Sequence, residues 1–306
     1  MRRSTESILE PRWDTRKGRL RVSELALLAG LTAMTAIALC HPGRVPVMVW
    51  SSFVTVGALF AVAALALGEG GQGWRYWARE LLPVPLLPYI FLNLGHLIPL
   101  VNPHIRDAAL LAIDKVLLGP EAQAVLYTLP LPALLADVLT LAYSSFYFLA
   151  IALLLTLGAR RDPFLPRVAS AIVITFLVSY AGYFVVPAYG PRTTVAHQRY
   201  ESLPGKVGDE VREKLDQWEK TKTDAFPSGH TMVTLAVLFC ARRRNRTLYN
   251  ILLPLGSLLI AATHYVIDVL AAVPLTAASI ALSAWLAGPV PSVAGDPAPP
   301  VPPTLE

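Results

Sequence analysis

The sequence predicts an all-α bundle of membrane-spanning helices. Three observations predict it: an apolar, charge-poor composition, apolar runs of spanning length, and basic clusters placed between those runs. The chain is 54% hydrophobic and 15% charged, with a mean hydropathy of +0.51. Soluble domains are nearer 45–50% apolar and about 25% charged. Its 306 residues suit one polytopic bundle better than several soluble domains. The net charge is +5 and the pI about 9.3. The basic residues sit in short clusters between apolar runs, as in cytoplasmic loops. They build no extended aromatic-basic surface of the kind that binds single strands, so nucleic acid is not an expected partner. Cys40 and Cys240 form neither a disulfide framework nor a zinc site.

A helix needs about 20 apolar residues to span a bilayer. Such runs lie near 23–41, 46–68, 80–100, 132–157, 167–187, 228–241, 248–265 and 268–287. The third contains Pro83, Pro85 and Pro88 and is expected to be kinked or partly re-entrant. The sixth is short, so its start is expected below the membrane surface. The clusters RKGRLR, WRYWAR, ARRDPFLPR and ARRRNR precede or separate spans at alternate positions. Placing all four in the cytoplasm lets about eight spans alternate without conflict, with both termini inside. Cys40 and Cys240 then fall on opposite faces, too far apart to bridge.

The expected organisation is a cytoplasmic tail over 1–22, a transmembrane catalytic domain over 23–287 and a Pro-rich disordered tail over 288–306. The six later helices are expected to form the catalytic core. Within 101–131, apolar residues recur at helical spacing beside Arg106, Asp107, Asp114 and Lys115, which fits an interfacial amphipathic helix. Residues 188–227 form the largest hydrophilic loop. Its centre, GDEVREKLDQWEKTK, reads as a short exposed helix with a solvated charged face.

This topology brings three distant stretches to one extracytoplasmic level: VVPAYGPRTT, FPSGHT and THYVIDV. In HYVID, His264 and Asp268 are four apart and would share a face of a continuous helix. The carboxylate would take the Nδ1 proton and leave Nε2 as nucleophile or base. A satisfied structural pair at a helix end is the alternative. In PSGH, Ser228 suits a helix cap and Gly229 admits a ligand close to the backbone. The first-turn N–H groups then offer an anion site, with His230 as a proton donor beside it; an ordinary capped helix with a surface histidine is the alternative. In YGPR, Arg192 at the membrane edge would bind phosphate oxygens bidentately, or simply snorkel. Together these residues form a phosphoryl-transfer set. His230, His264 and Asp268 are also conceivable metal ligands. A two-metal site, however, needs more carboxylates than these loops carry, so neither metal nor other cofactor is expected.

PSGH followed some thirty residues later by HYVID resembles the type 2 phosphatidic acid phosphatase superfamily. The resemblance implies that His264 is the nucleophile and forms a phosphohistidine. It implies that His230 is the acid, that Asp268 orients His264, and that Ser228 and Gly229 bind phosphate. The commonest branch carries Lys-x6-Arg-Pro, but Val185 stands where that lysine would be; Ser257 is followed by Leu258, not by that branch's arginine. SGHT, HYVIDVLAAVPLT and IDKVLLGPEAQ are closer to the sphingolipid synthase branch, which includes sphingomyelin and inositol phosphorylceramide synthases. The resemblance covers roughly 90–285. It implies an integral membrane enzyme that transfers a phospho-headgroup from a lipid donor to an acceptor alcohol; loop charge puts the site on the extracytoplasmic side, and a bacterial plasma membrane is the expected location. A lipid phosphate or polyprenyl (pyro)phosphate phosphatase remains an alternative. So does a non-enzymatic lipid transporter, which would need neither His230 nor Asp268.

Overall fold

The computed structural model describes residues 20–68, 71–128, 132–191, 214, 217, 221–261 and 265–288. The N-terminal tail, the Pro-rich C-terminal tail and all of the expected loop helix except Lys214 and Gln217 lie outside them. The described residues form twelve helices and no strand. These are α1 (Val22–Cys40), α2 (Val47–Leu67), α3 (Trp74–Leu81), α4 (Leu86–Val101), α5 (Asp107–Leu118) and α6 (Pro120–Thr128). They continue as α7 (Ala133–Ser144), α8 (Phe146–Ala159), α9 (Leu165–Val185), α10 (Gly229–Arg244), α11 (Arg246–Ala261) and α12 (Val266–Leu286).

Five helices, α3 and α4 counted together, are long and apolar enough to cross a membrane; the bent pair α7–α8 brings the number to six. The remaining two expected spans are α10 and α11, of 16 residues each. At 1.5 Å per residue each is roughly 24 Å long, short of a hydrocarbon core of about 30 Å. The third span breaks where expected. Its turn covers Leu82–Pro85, where Pro83 and Pro85 lack the N–H that an unbroken helix would use. The fourth bends by 52° near Ser145 with no proline present. Hydroxyls supply a cause: Thr140, Ser144 and Ser145 donate to Ala136, Thr140 and Ala142 carbonyls and compete with the helical ladder.

Helix α9 is the centre of the bundle, packed by α1, α4, α8, α10 and α12. One side of it joins Leu153, Leu157, Val233 and Val237 in an apolar core. The other joins Leu27, Phe53, Ile90 and Leu97. Large apolar side chains on α1, α2 and α12, such as Leu25, Leu59 and Val273, point outward, as a lipid solvent requires. Both cysteines are unbridged.

The described parts of the four basic clusters meet at one end of the bundle through a chain of contacts. Arg21 makes two bonds to Glu80, at 2.8 and 2.9 Å. Buried Arg79 bonds buried Glu24 at 2.9 Å. Arg161 lies 3.6 Å over the Tyr76 ring. Arg244 makes bonds of 2.8–3.1 Å to Asp162. The first residues of α10 and α12 and the last of α9 lie at the opposite end.

Candidate active site

At that opposite end the described parts of the three motif stretches come together. Main-chain bonds tie them: Ser228 N–H donates to the Asp268 carbonyl at 3.4 Å, and Ala225 N–H to the Ala188 carbonyl at 3.0 Å. Ala188 also bridges to Asp224. The segment after α9, the turn before α10 and the start of α12 are thus one unit.

Ser228 caps α10 as its residue type suggests. Its buried hydroxyl accepts from Thr231 N–H at 3.1 Å and donates to Thr231 Oγ1 at 2.8 Å. With that oxygen engaged, the N–H groups of the first turn are what this helix end can present to an anion. Gly229 is needed for space: a Cβ there would run into the Tyr183 hydroxyl and come within 3.3 Å of Ser179 Oγ. Gly182 is similar, since a Cβ would collide with the Pro227 ring. The PSGH turn is therefore pressed against α9. His230, the second residue of α10, is half-buried. Its ring stacks on Tyr143, with centroids 4.2 Å apart and 25° between planes. Phe146 lies at the same centroid distance and a 46° tilt.

Asp268 is fully buried. Helix α12 begins at Val266, with Tyr265 as its extended N-cap (ψ 147°). The helix that carries Asp268 therefore starts after His264, and the expected sharing of one continuous helical face does not apply. Asp268 is instead the third helical residue, and its Oδ2 reaches back to accept from Tyr265 N–H at 3.2 Å. Its Oδ1 is buried without a hydrogen-bond partner among the described residues. His264 and Arg192 lie outside the described residues. The YGPR turn is described only to Pro191; Gly190 takes φ +92°, a region that favours glycine.

The sequence alone did not single out two organising carboxylates, Asp107 and Asp114. Both are buried, at 4% and 0% exposure, although the pattern had set them beside Arg106 and Lys115 on the polar side of an interfacial helix. Asp107 accepts from Tyr189 N–H at 2.9 Å, Gly190 N–H at 2.8 Å and the Tyr265 hydroxyl at 2.8 Å. Asp114 accepts from Val266 and Ile267 N–H at 2.8 and 2.9 Å. It satisfies the first two donors of α12 and sets a negative charge at the positive end of that helix. The signal was the seven-residue spacing, which puts both carboxylates on one face of α5 with Leu110 between them. Leu110 packs with Ala188, Ala225 and Tyr265 beneath the site.

A cavity of about 240 Å³ opens beside His230 and Gly229. Asp224, Ser179 and Tyr183 line it near the site, and α4, α8 and α9 supply apolar walls from there to Glu80. Among the described residues no group of three or more His, Cys, Asp or Glu side chains is placed to hold a metal ion.

These features define a helical membrane protein with a histidine-bearing turn and a buried carboxylate at one end of its bundle, beside an apolar cavity. Residues 108–282 match the family model of the PAP2 superfamily. The match covers more than half of the chain, and the chain belongs to that superfamily, whose members are phosphatases or phosphotransferases. It begins within α5, so α1–α4 precede it. No curated protein matches the chain, and no solved structure does.

Proposed function

We propose that the protein transfers a phosphoryl or phospho-headgroup from a lipid phosphate ester through a phosphohistidine on His264. The observation that carries this reading is the convergence of the PSGH turn and the start of α12, joined by the Ser228–Asp268 bond, within a chain of the PAP2 superfamily. In the first half-reaction His264 Nε2 attacks phosphorus and the P–O bond to the leaving alcohol breaks. His230 gives that oxygen its proton. In the second half, an acceptor hydroxyl or water loses a proton to His230 and attacks, and the P–N bond breaks. Asp268 Oδ1, buried and without a partner among the described residues, is suited to accept the His264 Nδ1 proton. Arg192 and the first-turn N–H groups of Gly229 and His230, at the helix end that Ser228 caps, hold the equatorial oxygens. By the positive-inside rule, the basic end of the bundle faces the cytoplasm and the site faces outward.

Of the two outcomes, headgroup transfer of the sphingolipid synthase kind is the one in line with the resemblance of SGHT and HYVIDVLAAVPLT to that branch, and hydrolysis is the alternative. The test is to incubate the purified protein with labelled lipid extract and separate the products. A new phospholipid supports transferase and free phosphate supports phosphatase. Turnover of either kind that survives both His230→Ala and Asp268→Ala would overturn the mechanism. An active-site-independent lipid carrier would show transport and no new product.

A further inference from the structure

The cavity beside His230 is longer than a phospho-headgroup requires. It is lined along α9 from Ala169 to Tyr183, which at 1.5 Å per residue is roughly 21 Å. A hydrocarbon core is about 30 Å thick, so the cavity runs through most of one. Spread over that length, about 240 Å³ has room for no more than one hydrocarbon chain. Its polar groups lie at the two ends, apart from the Tyr180 hydroxyl, which is occupied by a 3.2 Å bond to the Leu87 carbonyl. Asp224, Ser179, Tyr183 and His230 stand at the site end, and Glu80 at the basic end. Between them the walls are Leu87, Phe91, Ala150, Leu154, Ile172 and Phe176. Glu80 is held there by the two bonds from Arg21.

We propose that this slot takes one hydrocarbon chain of the lipid substrate, with its phosphate at His230 and its far end toward the Arg21–Glu80 ion pair, which limits the chain length accepted. The inference rests on the phosphoryl-transfer reading above. Apolar walls reward each methylene that is buried. A chain that outruns the slot has to displace or desolvate an ion pair, which is unfavourable. Selection therefore falls on length rather than on headgroup, and it acts on the chain that continues directly from the phosphate ester.

The experiment uses the purified full chain with two series of single-chain monophosphates, n-alkyl and prenyl, of increasing length. para-Nitrophenyl phosphate is the chain-free control. In the wild type, kcat/KM is expected to rise with length and then fall sharply. Val84→Trp narrows the basic end and Ala150→Phe the middle. The optimum is expected to move to shorter chains in both, further in Ala150→Phe, with a loss of about tenfold or more on the longest chains. The control rate stays within about twofold. The better series identifies the chain as acyl-like or prenyl.

A second readout does not depend on turnover or on the variants folding. An alkyl phosphate with a photoreactive diazirine at its far end is cross-linked to the wild type and the adducts are mapped. The inference expects adducts on Leu154, Ala169 or Val84. Adducts confined to outward-facing Leu59 or Val273, or equal losses at every chain length, would overturn it. Slot adducts in a protein that turns over neither these phosphates nor any lipid of the labelled extract would instead sink the phosphoryl-transfer reading and leave the slot standing.

Discussion

His230 is the residue whose role is most open to direct test. Its ring is fixed between Tyr143 and Phe146, a setting that orients the imidazole. As general acid it matters most when the leaving alkoxide is basic. His230→Ala is expected to cost about 10²–10⁴-fold on an alkyl ester and much less on a nitrophenyl ester. Equal losses on both, with His264→Ala rescued by the better leaving group, would reverse the two roles. Asp268→Asn should keep the fold yet lose turnover, because an amide cannot hold the same imidazole tautomer; a wild-type rate in that variant would remove Asp268 from the mechanism. At this scale the sequence singled out His230 and Asp268 as rare polar residues in apolar runs, both of which the structure places at one end of the bundle. It was silent on Tyr143, Phe146 and Tyr183, because an aromatic residue in a membrane helix looks the same whether it faces lipid or a histidine.

Among the elements, the start of α12 depends on another helix. Asp114 on α5 accepts its first two N–H groups. Asp114→Ala should cost about 0.5–2 kcal/mol, the usual cost of a lost cap, read as a lower thermal midpoint in detergent. Turnover should fall as well, since α12 positions Asp268. An unchanged midpoint would mean that water replaces the carboxylate. Gly182→Ala tests the other contact of the site, that of α9 with Pro227. The new methyl would collide with the proline ring, and overpacking of this kind costs about 1–3 kcal/mol. The helices themselves were legible from apolar runs and prolines. The bend at Ser145 was not, because hydroxyl back-bonding leaves no gap in hydropathy. The burial of Asp107 and Asp114 was hidden for a related reason. A carboxylate that serves another segment's N–H groups cannot be told, within its own helix, from one that faces water.

At the scale of the whole molecule, the described parts of the four basic clusters lie at one end and those of the three motif stretches at the other. Helix α1 is held to α3 by the buried pair Glu24–Arg79. Arg79→Ala would strand a buried carboxylate and is expected to destabilise by about 3–5 kcal/mol, whereas an apolar replacement of both partners should recover most of that. The assay is thermal unfolding of the single and double variants, and no recovery in the double would contradict it. The central claim, that the converging ends form one transfer site, is tested most directly by trapping the phosphoenzyme. Wild-type protein is mixed with labelled lipid phosphate, quenched in base and mapped by mass spectrometry. The account predicts an acid-labile, base-stable phosphate on His264, absent in His264→Ala and accumulating when the acceptor is withheld. Turnover with no phosphate on His264, or a phosphate on any other residue, would contradict it.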